Sequence, residues 1–336
     1  MSPAELLPAH LRDHLATAAE RRGRGYRGRF APSPTGALHS GNLRTALLAW
    51  LDARLAGGEW LLRIDDLDTP RNRPGAEESI LADLRWLGLH WDGLPLRQSE
   101  RRGLYSSVLS ALRRAGLLYP CRCSRRLLAH VSAPHGGWPV YPGFCRGRPL
   151  GWGEEAGRLP SWRLRLPSGP IVWQERHGRP GRLDGASQVG DVVLRRADGF
   201  LAYHLATAVD ELSLGISDVL RGNDLWSSTG AQVALIGVLG CAPPRYGHLP
   251  LWQDASGRRL SKREGAEGLE AWRQRGLDAP AVIGALAASA GLVAPGSRLS
   301  AGELLAELTT ERLAAALGSG LRAGAGAPAA GGHRQP

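Results

Sequence analysis

The stretch GRRLSKREGA at residues 257–266 contains the only lysine of the chain, Lys262. The 42 lysines and arginines comprise this residue and 41 arginines, so arginine supplies every other basic side chain. Lysine presents a compact ammonium on a flexible stem, and the planar fork of arginine is not equivalent to it. Lys262 is therefore a candidate for chemistry that needs a point-like positive charge. The alternative is that its position is accidental.

The segment RFAPSPTGALHSGNL at residues 29–43 combines a short strand, a turn rich in proline and glycine, and a helix start. Backbone N–H groups at a helix N-terminus attract anions. Gly41 would let a nucleotide approach the backbone closely. The segment therefore predicts a nucleotide-phosphate site around His39, Gly41 and Asn42. Taken alone, His39 would more simply cap or pack the helix.

Three of the four cysteines, Cys121, Cys123 and Cys145, lie within 25 residues. This clustering does not resemble a disulfide framework. Three thiolates favour a tetrahedral zinc ion, which needs one more ligand. Composition alone would nominate His130 or His135, because imidazole is a commoner ligand than phenolate. The alternative is three free buried cysteines.

These segments resemble the signatures of class I aminoacyl-tRNA synthetases. The stretch around His39 resembles the HIGH signature in the form used by the glutamyl subgroup, and RRLSKRE resembles the KMSKS loop, with Lys262 at its second lysine. Other segments look like glutamyl-tRNA synthetases in family order, over roughly residues 26–265: LRIDDLDTPR, LGLHWDG, LAYHLATAVDE and DVLRGNDL. The resemblance implies that His39, Gly41, Asn42 and Lys262 bind ATP, which acts with Mg²⁺, and that His39 and Lys262 are catalytic. An ammonium here stabilises the charge that develops as pyrophosphate leaves.

The resemblance also implies a glutamate pocket. Arg29, Tyr203 and Arg221 match positions that bind glutamate in the family, and arginine binds carboxylates in a bidentate manner. Asp65 matches the acid that meets the substrate ammonium, where the family more often has Glu. Thr207 stands where synthetases that charge tRNA with glutamate usually carry Asn. The further implied substrate contacts are Phe30, Ala31, Pro32 and Ser33.

For the cysteine cluster, the resemblance is to a group whose zinc site uses a tyrosine at the position of Tyr141. It implies one structural Zn²⁺ per chain. The implied ligands are Cys121, Cys123, Tyr141 and Cys145.

Alternating strand and helix patterns predict the elements that position these residues. A strand from Tyr26 leads into a helix that stops at Gly57-Gly58, and EWLLRIDDLD reads as a second strand. Amphipathic helices follow in PGAEESILADLRWLGLHW and RRGLYSSVLSALRRAGLLY. This alternation is typical of an α/β fold with a largely parallel sheet. The resemblance implies a class I, Rossmann-like catalytic domain with a zinc-bearing insertion and a short helical C-terminal part.

The pattern also suggests domain boundaries. The alternation of strand and helix patterns stops from about residue 121 to 190. This segment is rich in Gly, Pro, Trp and Arg, and we interpret it as the insertion. Residues 1–25 are expected to form a short amphipathic helix and a basic linker outside the main fold. The other expected parts are two catalytic halves (26–115 and 196–256), the insertion (116–195), the KMSKS-like loop with a helical end (257–317) and a disordered tail (318–336).

Composition limits the function classes. A net charge of +11 and a pI near 10.4 indicate an anionic partner, most simply nucleic acid. No apolar run approaches the roughly 18–20 residues that span a bilayer, and the N-terminus lacks the apolar core of a signal peptide. We therefore expect a cytoplasmic protein without a membrane partner, and nothing demands more than a monomer. Cys241 has the apolar surroundings of a core residue.

The segment after Lys262 bears on the acceptor. Only 74 residues follow it, whereas a full glutamyl-tRNA synthetase carries a large anticodon-binding region there. The chain thus resembles the glutamyl-queuosine tRNA(Asp) synthetase family, which transfers activated L-glutamate to queuosine in the anticodon loop of tRNA(Asp). The alternatives are a truncated synthetase that charges tRNA(Glu) and a non-catalytic tRNA-binding paralogue.

Overall fold

A computed structural model describes residues 2–124, 127–128, 140–177, 179–250 and 268–318. The chain forms two compact units, each assembled from separate stretches of sequence. We call them the signature unit and the insertion unit. The signature unit comprises Tyr26–Leu96, Asp218–Asp224 and Gly247–Pro336. The insertion unit comprises Met1–Gly25, Arg97–Ser217 and Leu225–Tyr246.

Both units contain helices and strands. In order they are α1 (Ala9–Gly23), β1 (Arg27–Phe30), α2 (Ser40–Leu55), β2 (Glu59–Ile64), α3 (Ala76–Trp86), β3 (Leu96–Arg97), α4 (Arg102–Arg114), β4 (Leu118–Cys121), β5 (Ser161–Leu164), β6 (Pro170–Trp173), β7 (Gly181–Asp184), β8 (Val193–Arg195), α5 (Tyr203–Ser213), β9 (Asp218–Gly222), α6 (Trp226–Val238), β10 (Arg245–Leu249), α7 (Leu269–Gln274), α8 (Ala279–Ser289), α9 (Ala301–Glu307) and α10 (Thr310–Gly318).

The signature unit is built on a β–α–β arrangement. Strands β1 and β2 pair in parallel with Arg27 opposite Glu59 and Phe30 opposite Leu62, and α2 connects them. Beyond Glu59, every residue of β2 is buried, as is usual for parallel strands covered on both faces. Helix α2 is buried over most of its surface. A helix with so broad an apolar surface must lie inside a core. The predicted strand–helix–strand order is confirmed here.

The helical end shares this core. Buried residues of α7 to α10, including Val282, Leu286, Leu304 and Leu313, belong to the same hydrophobic cluster as Leu47 of α2. Strand β9 packs against β1 and α2. The predicted helices over 268–317 are confirmed, and they stabilise the element that carries the HIGH-like signature.

The insertion unit contains antiparallel strands. Strands β4, β5 and β8 form a sheet in that order, with β5 antiparallel to both neighbours, and β6 and β7 form an antiparallel pair. The expectation of a largely parallel sheet therefore holds for β1 and β2 and not for this region, where the helical rhythm of the sequence breaks. Helices α5 and α6 pack against each other in the same unit.

The N-terminal helix is part of the insertion unit. Helix α1 packs against α5. Gly215 lies so close to it that a Cβ at that position would come within 2.5 Å of the Ala18 carbonyl. Arg22 donates hydrogen bonds to the carbonyls of Glu211 and Ala242. The helix prediction is confirmed, but its expected place outside the main fold is wrong, because small side chains allow close packing and Arg22 ties down its end.

Within the described residues, no helix combines the length and apolar character that crossing a bilayer requires. The proposed domain limits at residues 115, 195 and 256 stay predictions. The expected disordered tail lies outside the described residues, apart from Gly318 at the end of α10.

Candidate active site and metal centre

His39 caps the helix of the HIGH-like segment. It is the N-cap residue of α2, and its Nδ1 accepts a hydrogen bond of 3.2 Å from the backbone N–H of Asn42. A side-chain acceptor at this position satisfies one of the N–H groups that a helix start leaves without a partner. In a neutral imidazole this places the proton on Nε2. The structure thus confirms the capping interpretation and places the imidazole beside the helix N-terminus.

The structure gives a local reason for a glycine at position 41. A Cβ on this residue would lie 3.2 Å from both Cε1 and Nδ1 of His39, so a larger side chain would crowd the imidazole. Gly36, in the preceding turn, has a φ of 136°, which glycine adopts far more readily than other residues. The absence of a side chain at position 41 therefore leaves room for the imidazole of His39, and the expected close approach of a nucleotide to Gly41 stays a prediction.

Asp65 is held by a neighbour that the sequence analysis missed. Arg63 donates from Nε to Oδ1 at 2.6 Å and from Nη2 to Oδ2 at 3.1 Å, and the two side chains are almost fully buried. Residues two apart on a strand share a face, so the RID pattern was the signal for this pair. Each carboxylate oxygen has two lone-pair sites, so Asp65 can still accept an ammonium. The backbone N–H of Asp65 also bonds to the Pro32 carbonyl at 2.9 Å.

Arg29 and Arg221 are buried arginines on neighbouring strands. Arg29, on β1, is 5% exposed, and Arg221, on β9, is 3% exposed. The Nε of Arg221 donates to Nε2 of His248 at 3.2 Å, a contact that no sequence pattern announced. Arginines buried this deeply are rare unless they bind anionic groups. The structure therefore places Arg29 and Arg221 on two strands of one unit, and Asp65 directly after a third strand of that unit.

The remaining residues of the 29–33 segment differ in what they can offer a substrate. The Phe30 side chain is 6% exposed and stacks on Trp60 with ring centroids 6.0 Å apart. The Phe30 side chain therefore belongs to the core, so a ligand could contact this residue only through its backbone. Pro32 is buried, Ala31 is half-buried and Ser33 is exposed.

Lys262 lies outside the described residues, but both flanks of its segment contact the start of α2. Arg44, one turn after Gly41, donates to the carbonyl of Pro250. On the other flank, Gly268 forms an antiparallel bridge with His39. Burial lowers the pKa of Arg44 to about 10, which leaves it cationic at neutral pH. Pro250 and Gly268, which lie on either side of the Lys262 segment, therefore both contact the start of α2.

Tyr203 and Thr207 belong to the insertion unit. Tyr203 is the first residue of α5 and is 38% exposed, while Thr207, one turn later, is fully buried. The Thr207 hydroxyl has no hydrogen-bond partner within the described part of the chain.

A buried carboxylate fixes α5, and the sequence analysis did not single it out. Asp210 accepts hydrogen bonds from Gln98 Nε2 at 2.9 Å, Arg101 Nε at 2.8 Å and Tyr105 Oη at 2.8 Å. Arg101 also donates to Ser213 at 2.6 Å. An acid inside the apolar pattern of LAYHLATAVDE was the signal for a buried network of this kind. These bonds hold the helix that begins with Tyr203.

The expected metal ligands converge in the insertion unit. The sulfurs of Cys121, Cys123 and Cys145 lie within 4.8 Å of one another. The Tyr141 hydroxyl is 3.4 Å from the Cys121 sulfur and 3.5 Å from that of Cys123, and it accepts a hydrogen bond of 2.8 Å from the Cys145 N–H. Three thiols and a phenol thus surround one point. His130 and His135 lie outside the described residues.

The thiols differ in their acidity. Burial raises the pKa of Cys123 to about 11. Burial also raises the pKa of Cys145, but hydrogen bonds from Tyr141 and a backbone N–H outweigh it and leave that pKa below the ordinary value. For Tyr141, burial and hydrogen bonds with the cysteines raise the pKa. A cation bound here must displace protons from Cys123 and Tyr141, so its affinity falls as the pH falls. The Cys241 thiol is half-buried in the same unit, and burial raises its pKa.

Comparison with known proteins gives one consistent group of matches. Residues 26–288 match the family described as tRNA synthetases class I (E and Q), catalytic domain. A glutamyl-Q tRNA(Asp) synthetase of Prochlorococcus marinus is 56% identical over 308 residues, which are 92% of this chain and 96% of that protein. A protein of the same name from Synechococcus is 58% identical over 312 residues, or 93% of this chain and 99% of its own length.

Solved structures show the same similarity at lower identity. A glutamate tRNA ligase from Elizabethkingia meningosepticum, solved in complex with its amino acid, matches with a TM-score of 0.72 and 27% identity. The match covers 89% of this chain and 66% of the ligase. The chain therefore spans about two thirds of that ligase and nearly all of the two relatives above.

Proposed function

Because this chain belongs to the glutamyl-Q tRNA(Asp) synthetases, within the class I tRNA synthetases for glutamate and glutamine, we propose that it activates L-glutamate with ATP and transfers it to queuosine in tRNA(Asp). The family membership confirms the resemblance found in the sequence, and such an enzyme is a ligase. The observation that carries the acceptor is the match over nearly the whole length of relatives with that name. A cytoplasmic, monomeric protein that handles tRNA, glutamate and ATP is part of the same proposal.

In the activation step, an oxygen of the glutamate α-carboxylate attacks the α-phosphorus of ATP, and pyrophosphate leaves with the electrons of the broken P–O bond. ATP acts with Mg²⁺ in this class of enzyme. We assign ATP binding to the start of α2, where the helix N-terminus favours phosphate and the imidazole of His39 caps the helix. Gly41 and Asn42 belong to the same turn. Lys262 stabilises the charge on the departing pyrophosphate.

Glutamate recognition rests on charge. The buried guanidiniums of Arg29 and Arg221 suit the side-chain carboxylate, because arginine offers two parallel N–H donors. Asp65, oriented by Arg63, accepts the α-ammonium. Tyr203, in the insertion unit, matches a glutamate-binding position of the family, and its role in binding stays a prediction. In the transfer step, a hydroxyl of the queuosine cyclopentenediol attacks the anhydride carbonyl, loses its proton and forms an ester as AMP leaves.

One experiment tests the acceptor. Labelled glutamate and ATP are incubated with the purified chain and with tRNA(Asp) that carries queuosine, tRNA(Asp) that lacks it, or tRNA(Glu). Label on queuosine-bearing tRNA(Asp) alone is the expected result. Label on tRNA(Glu) would instead indicate a truncated glutamyl-tRNA synthetase, and no adenylate with any tRNA would indicate a binding paralogue.

We also propose one structural Zn²⁺ on Cys121, Cys123, Tyr141 and Cys145. The donor set fits, since three soft sulfurs and one oxygen donor suit a four-coordinate zinc ion. Arg163 provides an independent observation from the structure. It is 7% exposed, and its Nε is buried without a hydrogen-bond partner in the described parts of the chain. A cation in that condition points to a neighbouring anionic group, and deprotonated ligands supply one.

The zinc proposal predicts about one zinc per purified chain, retained by the His130→Ala variant and largely lost by Tyr141→Phe. The reason is that the Tyr141 hydroxyl already lies beside two sulfurs. Metal analysis after gel filtration measures this. Absence of zinc from the wild type would refute the site, whereas normal zinc in Tyr141→Phe and loss in His130→Ala would move the fourth ligand to the imidazole.

A further inference from the structure

Arg163 occupies an unusual position beside the cysteine cluster. It lies on β5, the central strand of the β4–β5–β8 sheet, opposite Tyr119 on one side and Val193 on the other. Its guanidinium carbon is 3.7 Å from the centroid of the Tyr141 ring. A cation over an aromatic face is attracted to it, more strongly where both are removed from water. Arg163 therefore contacts an expected metal ligand directly.

Among the residues that the structure describes, this buried cation has no carboxylate partner. Within the described residues, no Asp or Glu oxygen lies within ion-pair distance of its guanidinium, and its hydrogen bond goes from Nη1 to the backbone carbonyl of Asp191 at 2.6 Å. The Asp191 carboxylate is engaged elsewhere, by the Tyr119 hydroxyl at 2.6 Å, the Leu166 N–H at 2.8 Å and Arg146 at 3.6 Å. Buried charges are normally paired, because leaving water unpaired is costly. The counter-charge of Arg163 must come from another source.

We propose that this counter-charge is the metal centre, and that Arg163 is a positioning residue that balances the charge of the zinc ligands. The inference rests on the zinc site proposed above. Three thiolates around Zn²⁺ leave one net negative charge, and a phenolate leaves two. Arg163 is a fixed positive charge against the ring of Tyr141, so it attracts the loaded centre and holds the ring at the cluster. Groups outside the ligand set commonly tune metal sites in this way.

Two substitutions separate charge from packing. Arg163→Met keeps most of the length and apolar contact but removes the charge, and Arg163→Lys keeps the charge but removes the planar stack. Zinc affinity is measured by competition with a chromophoric chelator. We expect Arg163→Met to weaken zinc binding by about 10- to 100-fold, and Arg163→Lys to weaken it less. Arg195→Met is the matched control, because Arg195 stacks on Trp162 at 5.1 Å on the adjacent strand. It should bind zinc like the wild type.

Thermal unfolding of zinc-loaded and chelator-stripped chains distinguishes this role from general packing. Without zinc, Arg163 is a buried charge that lacks a counter-ion, so Arg163→Met should melt at the wild-type temperature or above it. With zinc, it should melt below the wild type. Equal lowering of both melting temperatures would mean that Arg163 is merely structural and would overturn the proposal.

The affinity results give further decisive outcomes. Wild-type zinc affinity in Arg163→Met would overturn the proposal while the zinc site stood. Equal losses in the Met and Lys variants would contradict the charge argument. A wild-type chain that takes up no zinc would remove the site and the proposal together. Failure of glutamate transfer with zinc bound would concern the enzymatic function and leave this result unaffected.

Discussion

The Lys262→Arg variant is expected to lose about 10²–10³-fold in glutamate-dependent pyrophosphate exchange, the size usual for one lost transition-state contact. The substitution keeps the positive charge, so a residue that only anchors a phosphate would tolerate it. A compact ammonium that must follow the phosphates as pyrophosphate leaves cannot be replaced by a planar fork. The apparent affinity for glutamate should change little, because we assign recognition of its side-chain carboxylate to Arg29 and Arg221.

The matched control is Arg258→Lys, which makes the reverse exchange in the same segment and should keep exchange activity near that of the wild type. Thermal melting and zinc content are measured on all three proteins, so that a folding defect is recognised. Exchange by Lys262→Arg within about twofold of the wild type, at equal stability, would show that this lysine has no special role and survived by accident.

The parts of the fold that follow from local patterns were predictable. The mostly apolar sequences of β2 and α2 reflect burial on nearly all sides, and residue type indicates that burial except at charged positions such as Arg63. The three clustered cysteines were predictable for a similar reason, since their spacing along one short stretch already limits how far apart they can lie. The zinc ion itself and the domain boundaries stay predictions.

Contacts between distant segments could not be predicted in the same way. The packing of α1 on α5 depends on small side chains whose partner is almost two hundred residues away, and residue type gives no sign of that pairing. The apolar pattern around Asp210 could signal a buried acid, but it could not show that the partners are residues more than a hundred positions earlier. The Arg63–Asp65 pair is different, because its two-residue spacing made it readable before the structure.

The contact between His248 and Arg221, which the sequence did not predict, bears on how a substrate carboxylate would bind. The Nε2 of His248 accepts from the Nε of Arg221 at 3.2 Å, which restricts the plane of the guanidinium before a ligand arrives. Preorientation of this kind reduces the ordering that a bidentate contact would otherwise require on binding. The same geometry makes Arg221 hard to replace even by lysine, whose ammonium has no plane to restrict.

Replacement of Arg221 by methionine should therefore raise the KM for glutamate roughly 10²-fold and change kcat much less. Loss of a charge-assisted contact to a carboxylate costs about 1.5–3 kcal/mol, and roughly 1.4 kcal/mol corresponds to a factor of ten. An interaction made equally in the ground state and the transition state acts on KM rather than kcat. Lys262→Arg should show the reverse pattern, with a large loss of exchange activity and little change in the apparent affinity for glutamate. Arg221→Lys should also raise the KM, because it keeps the charge without the fork.

The control is Arg71→Met. The Arg71 side chain is 72% exposed in the same unit, so this variant should leave both constants unchanged. Pyrophosphate exchange at varied glutamate, with melting temperatures for each variant, measures the effect. A KM within about twofold of the wild type in a stably folded Arg221→Met protein would remove Arg221 from the glutamate site.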